Sequence, residues 1–298
     1  MKRDFLRIID LSSEECEQLI DRAIELKSEC VNIARPLIGK TVGLLFEKSS
    51  TRTRVSLEVG VYQLGGLPIY LNQGDTQMGR GESVADAARV LSRYLNAVAI
   101  RTYQHAGLVE FARYATIPVI NALSDSHHPC QVLADLMTIK EKKGTLKGVR
   151  LTYVGDGNNV ANSLIDAAWL TGMSLTVACP AGFEPDRDVL EAATGADIHI
   201  SHAPSEAVRG TDVIYTDVWV SMGDKGAAED KKKKFSGFQV NDALMAHARP
   251  DTLIMHCLPA HRGEEITSPV LDGTNSIVFD QAENRLHTQK AILELLVK

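Results

Sequence analysis

Ser50-Thr51-Arg52-Thr53-Arg54 places three hydroxyls and two guanidinium groups in five consecutive positions. The stretch follows an apolar run, Thr41–Phe46, that reads as a strand, and it opens a helical pattern, Thr51–Leu64. A helix start offers backbone N–H groups without partners and the positive end of the helix dipole. With Ser50 expected at the N-cap, hydroxyl donors and the Arg52 fork beside such a start suit a phosphate-like anion.

A second group, His128-Pro129-Cys130-Gln131, places a proline where a helix begins and sets His128 three residues before Gln131. Histidine can donate to a carbonyl oxygen, and the glutamine carbonyl can hold an amide-like NH2, so the pair suits a carbamoyl or carboxamide group. Taken alone, helix capping is the commoner use of that pattern. A third group lies farther along the chain. Asp217 with Ser221-Met222-Gly223 follows the run Asp212–Thr216, and Cys257-Leu258-Pro259 follows Thr252–His256. A carboxylate and a hydroxyl can receive an ammonium group, while the Cys257 turn exposes a thiol and a backbone carbonyl on the same rim. Asn158 and Asn159 follow the run Arg150–Val154; both could offer amide donors and acceptors, and Asn158 reads equally well as a helix cap.

Two motifs do not survive their context. "ARPLIGKT", Ala34 to Thr41, resembles a relaxed phosphate loop, yet it precedes a strand, and Pro36 removes an N–H from the cradle. "YVGDGNNVANS", Tyr153 to Ser163, follows a strand and opens a helix, but Val160 replaces the third glycine of a dinucleotide fingerprint, and the next strand ends in Cys179-Pro180 rather than an acid.

Positioning these groups requires strands that end where helices begin. Short β-branched runs at Thr41–Phe46, Pro68–Leu71, Ala97–Arg101, Pro118–Asn121, Arg150–Val154, Ser174–Ala178, Asp197–Ser201, Asp212–Thr216, Thr252–His256 and Ser276–Phe279 alternate with helical patterns. Such alternation predicts an α/β chain of two similar domains, each a parallel sheet flanked by helices, joined by crossing helices. The 298 residues suit two domains. The charged connector Lys140–Arg150 places them at 1–144 and 145–280, with a last helix, about 281–298, returning to the first. Ser12 and Glu15 form a capping box. The net charge of −6 argues against a nucleic-acid surface, and the one basic block, Lys231 to Lys234, reads as a solvated loop or helix face. Five scattered cysteines without C-x-x-C spacing suggest a reduced, cytoplasmic setting, and no signal peptide or membrane span is expected.

In order and spacing, Ser50 to Arg54, His128 to Gln131, Asp217 with Ser221 to Gly223, and His256-Cys257-Leu258-Pro259 resemble the motifs of ornithine carbamoyltransferases, from Phe46 to Arg285. The first two motifs are shared with aspartate carbamoyltransferases. The resemblance implies a carbamoyl-phosphate site in the first domain. Ser50, Thr51, Arg52 and Thr53 would hold the phosphate, Arg101 would bridge phosphate and carbonyl oxygen, and His128 would polarise the carbonyl. Gln131 and the Leu258 carbonyl would hold the carbamoyl nitrogen, with Arg285 nearby. It also implies an L-ornithine site in the second domain, from Asn159, Asp217, Ser221 and Met222, with Asp217 and Cys257 orienting the attacking amine. Gln77 would reach a neighbouring subunit's site in a homotrimer. Neither metal nor organic cofactor is called for. The expected chemistry is direct attack on the carbamoyl carbon through a tetrahedral intermediate, with a covalent Cys257 intermediate as the rival. Putrescine or N-acylated ornithine as acceptor, or a non-catalytic carbamoyl-phosphate-binding subunit, are the alternatives. The segment 224–239 is expected to be a mobile flap.

Overall fold

The computed structural model describes residues 2–28, 34–72, 74, 76–220 and 228–298. Two compact units emerge, Met1–Met137 with Glu283–Lys298, and Thr138–Ala282.

In the first unit, β1 (Thr41–Phe46), β2 (Leu67–Asn72), β3 (Ala97–Arg101) and β4 (Val119–Leu123) form a parallel sheet in the order β2-β1-β3-β4. Parallel neighbours need crossovers. These run through α2 (Arg52–Gln63), α3 (Val84–Leu91) and α4 (His105–Tyr114), preceded in the chain by α1 (Ser13–Ser28). Every residue of β3, and all but the first of β1, is buried, as expected of strands covered on both faces. The capping box forms: Ser12 N–H donates to Glu15 Oε2 at 2.9 Å, and Glu15 N–H to Ser12 Oγ at 3.1 Å.

The second unit carries β5 (Arg150–Val154), β6 (Ser174–Ala178), β7 (Ile198–Ser201), β8 (Val213–Thr216) and β9 (Leu253–His256), all parallel, ordered β7-β6-β5-β8-β9. The division between units falls inside α5 (Pro129–Lys143) and again inside α12 (Val278–Leu296), so helices make both connections. Between them lie α6 (Asn159–Thr171), α7 (Arg187–Ala192), α8 (Pro204–Ala207), α9 (Ala228–Phe235), α10 (Asp242–Met245) and α11 (Ser268–Leu271). Trp219, Phe235 and Phe238 pack with Val154, Ile214 and Ile254 of the sheet.

Each sheet has one point where the strand order turns back. It lies between β1 and β3 in the first unit and between β5 and β8 in the second. Ligands of open α/β sheets bind at the carboxyl ends of such strands, where the following loops diverge and leave a crevice.

Two expectations need correction. Ser276–Phe279 is no strand: Ser276 makes a single bridge to Ile254, and Val278 already opens α12. Within the expected flap, α9 and the turn after it bury Phe235 and Phe238 in the core, and 224–227 lie outside the described residues. Lys231 is not solvated either, since its side chain is 14% exposed and Nζ donates to Asp156 Oδ2 at 2.7 Å.

Candidate active site

In the first unit the chain leaves β1 and enters α2 through Ser50 and Thr51. Thr51, not Ser50, occupies the N-cap, and its side chain makes no cap hydrogen bond. The first intrahelical bond runs from Val55 N–H to the Thr51 carbonyl at 3.0 Å, which leaves the amides before it to other partners. The two arginines part company here. Arg54 turns aside, with Nε donating to Glu58 Oε1 at 2.9 Å and its guanidinium 3.6 Å from the Tyr70 ring centre. Arg52 stays exposed, beside half-buried Ser50 and exposed Thr51.

Arg285 of α12 ties the remaining groups together. Nη1 donates to Gln131 Oε1 at 2.6 Å, and Nη2 to Thr53 Oγ1 at 2.9 Å, all three side chains being buried. Gln131 Nε2 donates to Asp135 Oδ1 at 2.8 Å. Arg101, at the end of β3, is 8% exposed, and its Nε has no hydrogen-bond partner among the described residues. Glu47 holds the turn beyond it: its N–H donates to the Arg101 carbonyl at 2.8 Å, and its carboxylate accepts from Thr102 Oγ1 at 2.6 Å and Tyr103 N–H at 2.7 Å. Burial, then the charges of Arg285 and Arg52, lower the Arg101 pKa to about 10.

His128 precedes α5, and its carbonyl accepts from Gln131 N–H at 3.1 Å and Val132 N–H at 3.2 Å. The ring is buried, and burial followed by Arg285 and Arg101 holds it well below the usual histidine range, hence neutral. A turn closed by Ser124 N–H to the His127 carbonyl at 2.9 Å presents it, with the Ser124 hydroxyl accepting from His127 N–H at 3.2 Å. Three guanidiniums and a neutral imidazole give this end of the sheet donors and positive charge that suit an anion bearing a polar carbonyl. Gln77 stands apart: it is exposed before the turn Met78–Arg80, and its side chain makes no hydrogen bond among the described residues.

In the second unit a bond across the turning point of the sheet joins the loop after β5 to the loop after β8. Asn158 caps α6, accepting from Val160 N–H at 2.9 Å and Ala161 N–H at 3.2 Å. The same side chain donates through Nδ2 to Asp217 Oδ2 at 2.8 Å, and it is steadied by Tyr153 OH at 3.2 Å. Asp217 Oδ1 accepts from Cys257 Sγ–H and from Val218 N–H, each at 2.8 Å. Asn159, half-buried, opens α6 next to this clamp. Gly157 lets the loop pass close to its neighbour, since a Cβ there would lie 2.3 Å from the backbone of Glu184 and Pro185. Ser221 and Met222 lie outside the described residues.

The turn after β9 is set by a buried pair. His256 Nδ1 accepts from Leu258 N–H at 2.8 Å, so the ring proton sits on Nε2, which donates to Glu265 Oε1 at 3.1 Å. Leu258 adopts φ +57°, the one positive value outside glycine among the described residues, and precedes a cis peptide bond to Pro259. Asp217, His256 and Cys257 bring potential metal-ligand atoms within 4.8 Å of one another. Both nitrogens of His256 are already committed, so the set does not fit a metal ion.

Tyr153, Asp135 and Glu265 escaped sequence reasoning, because each meets its partner only through the fold or one helical turn on. The capping asparagine was visible, but its second bond to Asp217 was not.

Residues 3–141 match the model of the aspartate/ornithine carbamoyltransferase carbamoyl-P binding domain, and 147–296 that of the aspartate/ornithine carbamoyltransferase Asp/Orn binding domain. The chain is 54% identical to the ornithine carbamoyltransferase of Syntrophus aciditrophicus, covering all of both chains. It is 52% identical to the anabolic ornithine carbamoyltransferase of Pyrococcus furiosus, covering 99% of this chain and 96% of that one. Among solved structures, ornithine carbamoyltransferase from Pyrococcus furiosus superposes with a TM-score of 0.95 at 52% identity, covering 99% of this chain and 97% of that chain. The Thermus thermophilus ornithine carbamoyltransferase gives 0.92 at 45% identity over the full length of both. With both sheets, their order and both domain signatures in agreement, the chain belongs to the aspartate/ornithine carbamoyltransferase family.

Proposed function

We propose that the chain is an ornithine carbamoyltransferase, moving the carbamoyl group from carbamoyl phosphate to the δ-amine of L-ornithine to give L-citrulline and phosphate. The observation that carries the choice of acceptor is the Asp217 carboxylate, held by Asn158, Cys257 and Val218 N–H at the end of β8. An anionic group there attracts an ammonium and repels an acidic acceptor such as aspartate, while Asn159 beside it suits the α-carboxylate. Full-length likeness to proteins named for ornithine supports the same choice.

In this reading the first unit takes the donor. Ser50, Thr51, Arg52 and Thr53 bind the phosphate, and Arg101 and Arg285 add charge. His128, Gln131, Cys257 and the Leu258 carbonyl address the carbamoyl group. The neutral δ-amine attacks the carbamoyl carbon, the C–N bond forms, and the carbonyl electrons move onto an oxyanion. Thr53, Arg101 and His128 stabilise it, the latter as a neutral N–H dipole. The intermediate collapses as the C–O bond to phosphate breaks, and the proton of the attacking amine passes to the departing phosphate. A nucleophilic thiolate needs electropositive surroundings. Cys257 instead points at a carboxylate oxygen 2.8 Å away, which supports orientation over covalent catalysis.

The reading extends to a homotrimer in which Gln77 serves a neighbouring site. Exposed Ile38, Tyr62, Leu67 and Ile69 support it, because an apolar edge strand such as β2 calls for a cover. A cytoplasmic setting and a part in arginine formation complete the proposal. No described helix is long and apolar enough to cross a membrane, and one relative is named anabolic. Citrulline formation from carbamoyl phosphate, assayed with ornithine beside aspartate, putrescine and N-acetylornithine, tests the reading. Product with another amine, or with none, overturns it.

A further inference from the structure

We infer that Asp135 is a specificity-determining positioning residue, which acts through Gln131 to make the donor site recognise a carbamoyl NH2 in preference to a methyl group of similar shape. The inference rests on the proposed carbamoyl-phosphate reading of the first unit.

Asp135 is fully buried on α5, one helical turn beyond Gln131. A buried carboxylate is costly unless donors meet it, and Gln131 Nε2 does so at 2.8 Å. An ionised carboxylate only accepts hydrogen bonds, and a guanidinium only donates them. The Gln131 amide lies between one of each, with Nε2 against Asp135 and Oε1 against Arg285 Nη1 at 2.6 Å. Turned over, it would face a donor with a donor and an acceptor with an acceptor. One orientation remains, and it sets Oε1, which has a second lone pair, against the Arg285 guanidinium.

That lone pair can meet an NH2 but gains nothing from a methyl. Acetyl phosphate shares the phosphate and the carbonyl of carbamoyl phosphate and differs only there, so the Gln131 acceptor tells them apart. Asp135 keeps that acceptor in place from the side opposite Arg285.

The test uses the full chain as wild type, Asp135→Asn, Asp135→Ser, Gln131→Ala and the double variant Gln131→Ala with Asp135→Asn. In the citrulline assay one measures KM for carbamoyl phosphate and the inhibition constants of acetyl phosphate and inorganic phosphate. Asp135→Asn should lower the ratio of the acetyl phosphate constant to the carbamoyl phosphate KM about tenfold, while the inorganic phosphate constant stays within about twofold. In the Gln131→Ala background the same change should cost nothing further. Equal shifts of all three constants, or additive losses in the double variant, overturn the inference. Loss of folding in both Asp135 variants, read by circular dichroism, also overturns it by assigning Asp135 a structural duty. A wild type that makes no citrulline sinks the functional reading instead.

Discussion

Arg101→Met tests how the donor site is loaded. The arginine is 8% exposed, carries no ion pair among the described residues, and its Nε lacks a hydrogen-bond partner. Burial and two neighbouring guanidiniums lower its pKa to about 10. For a base whose folded pKa is depressed, the folded state carries a penalty whenever the group is charged. That penalty is fully present at neutral pH and is relieved only as pH rises through about 10. At about 1.4 kcal/mol per pH unit, the displacement from the usual arginine range amounts to about 3 kcal/mol, an upper figure because some water reaches the group. Methionine keeps most of the aliphatic stem and removes the charge. The ligand-free variant should therefore melt about 5 °C above wild type at neutral pH. Carbamoyl phosphate or inorganic phosphate should raise the wild-type melting temperature and leave the variant's nearly unmoved, with citrulline formation lost. Differential scanning fluorimetry with and without each anion reads all of this. A ligand-free variant that melts below wild type would contradict this, since Arg101 would then be held by favourable contacts rather than left without a counter-ion.

Cys257→Ser retains a donor to Asp217 Oδ1, so kcat should fall about tenfold and survive; loss of all turnover would point to a covalent thiol path. Because His128 is held well below the usual histidine range, KM for carbamoyl phosphate should be flat from about pH 6 to 8. Over the same range kcat climbs as the acceptor amine deprotonates, and an inflection of the donor KM near the ordinary histidine pKa would contradict the neutral ring. Gly157→Ala puts a Cβ 2.3 Å from the Glu184–Pro185 backbone, so the loop after β5 must shift, at a cost of about 1–3 kcal/mol. KM for ornithine should rise while KM for carbamoyl phosphate holds, and unchanged ornithine kinetics would show that the loop tolerates the shift.

Strands with continuous apolar, β-branched runs were legible to the residue: Thr41–Phe46, Ala97–Arg101, Arg150–Val154 and Ser174–Ala178 coincide with β1, β3, β5 and β6. Ser276–Phe279 has the same composition but failed, because Ile277 and Val278 bury themselves at the start of a helix instead of in a ladder. α7, α8 and α11 were not foreseen, as one or two turns give too little periodicity to stand out. The site motifs were readable where chemistry and sequence are contiguous, as in Ser50 to Thr53 or His128 to Gln131. Burial was not readable: nothing local says that Lys231 folds onto Asp156 or that Glu265 waits behind His256. The Ser50 cap missed by one residue, which is the usual uncertainty of a helix end.

The double bonding of Asn158 has a consequence for how freely this protein could change. One side chain starts α6 with its oxygen and aims Asp217 with its nitrogen. Under the acceptor role proposed for Asp217, a substitution at position 158 that redirected it toward a different acceptor would also uncap the helix that carries Asn159, at a cost of about 1 kcal/mol. New acceptor preferences are therefore poorly reached by single steps at position 158, and a laboratory search for them is better aimed at positions whose side chains have one task only.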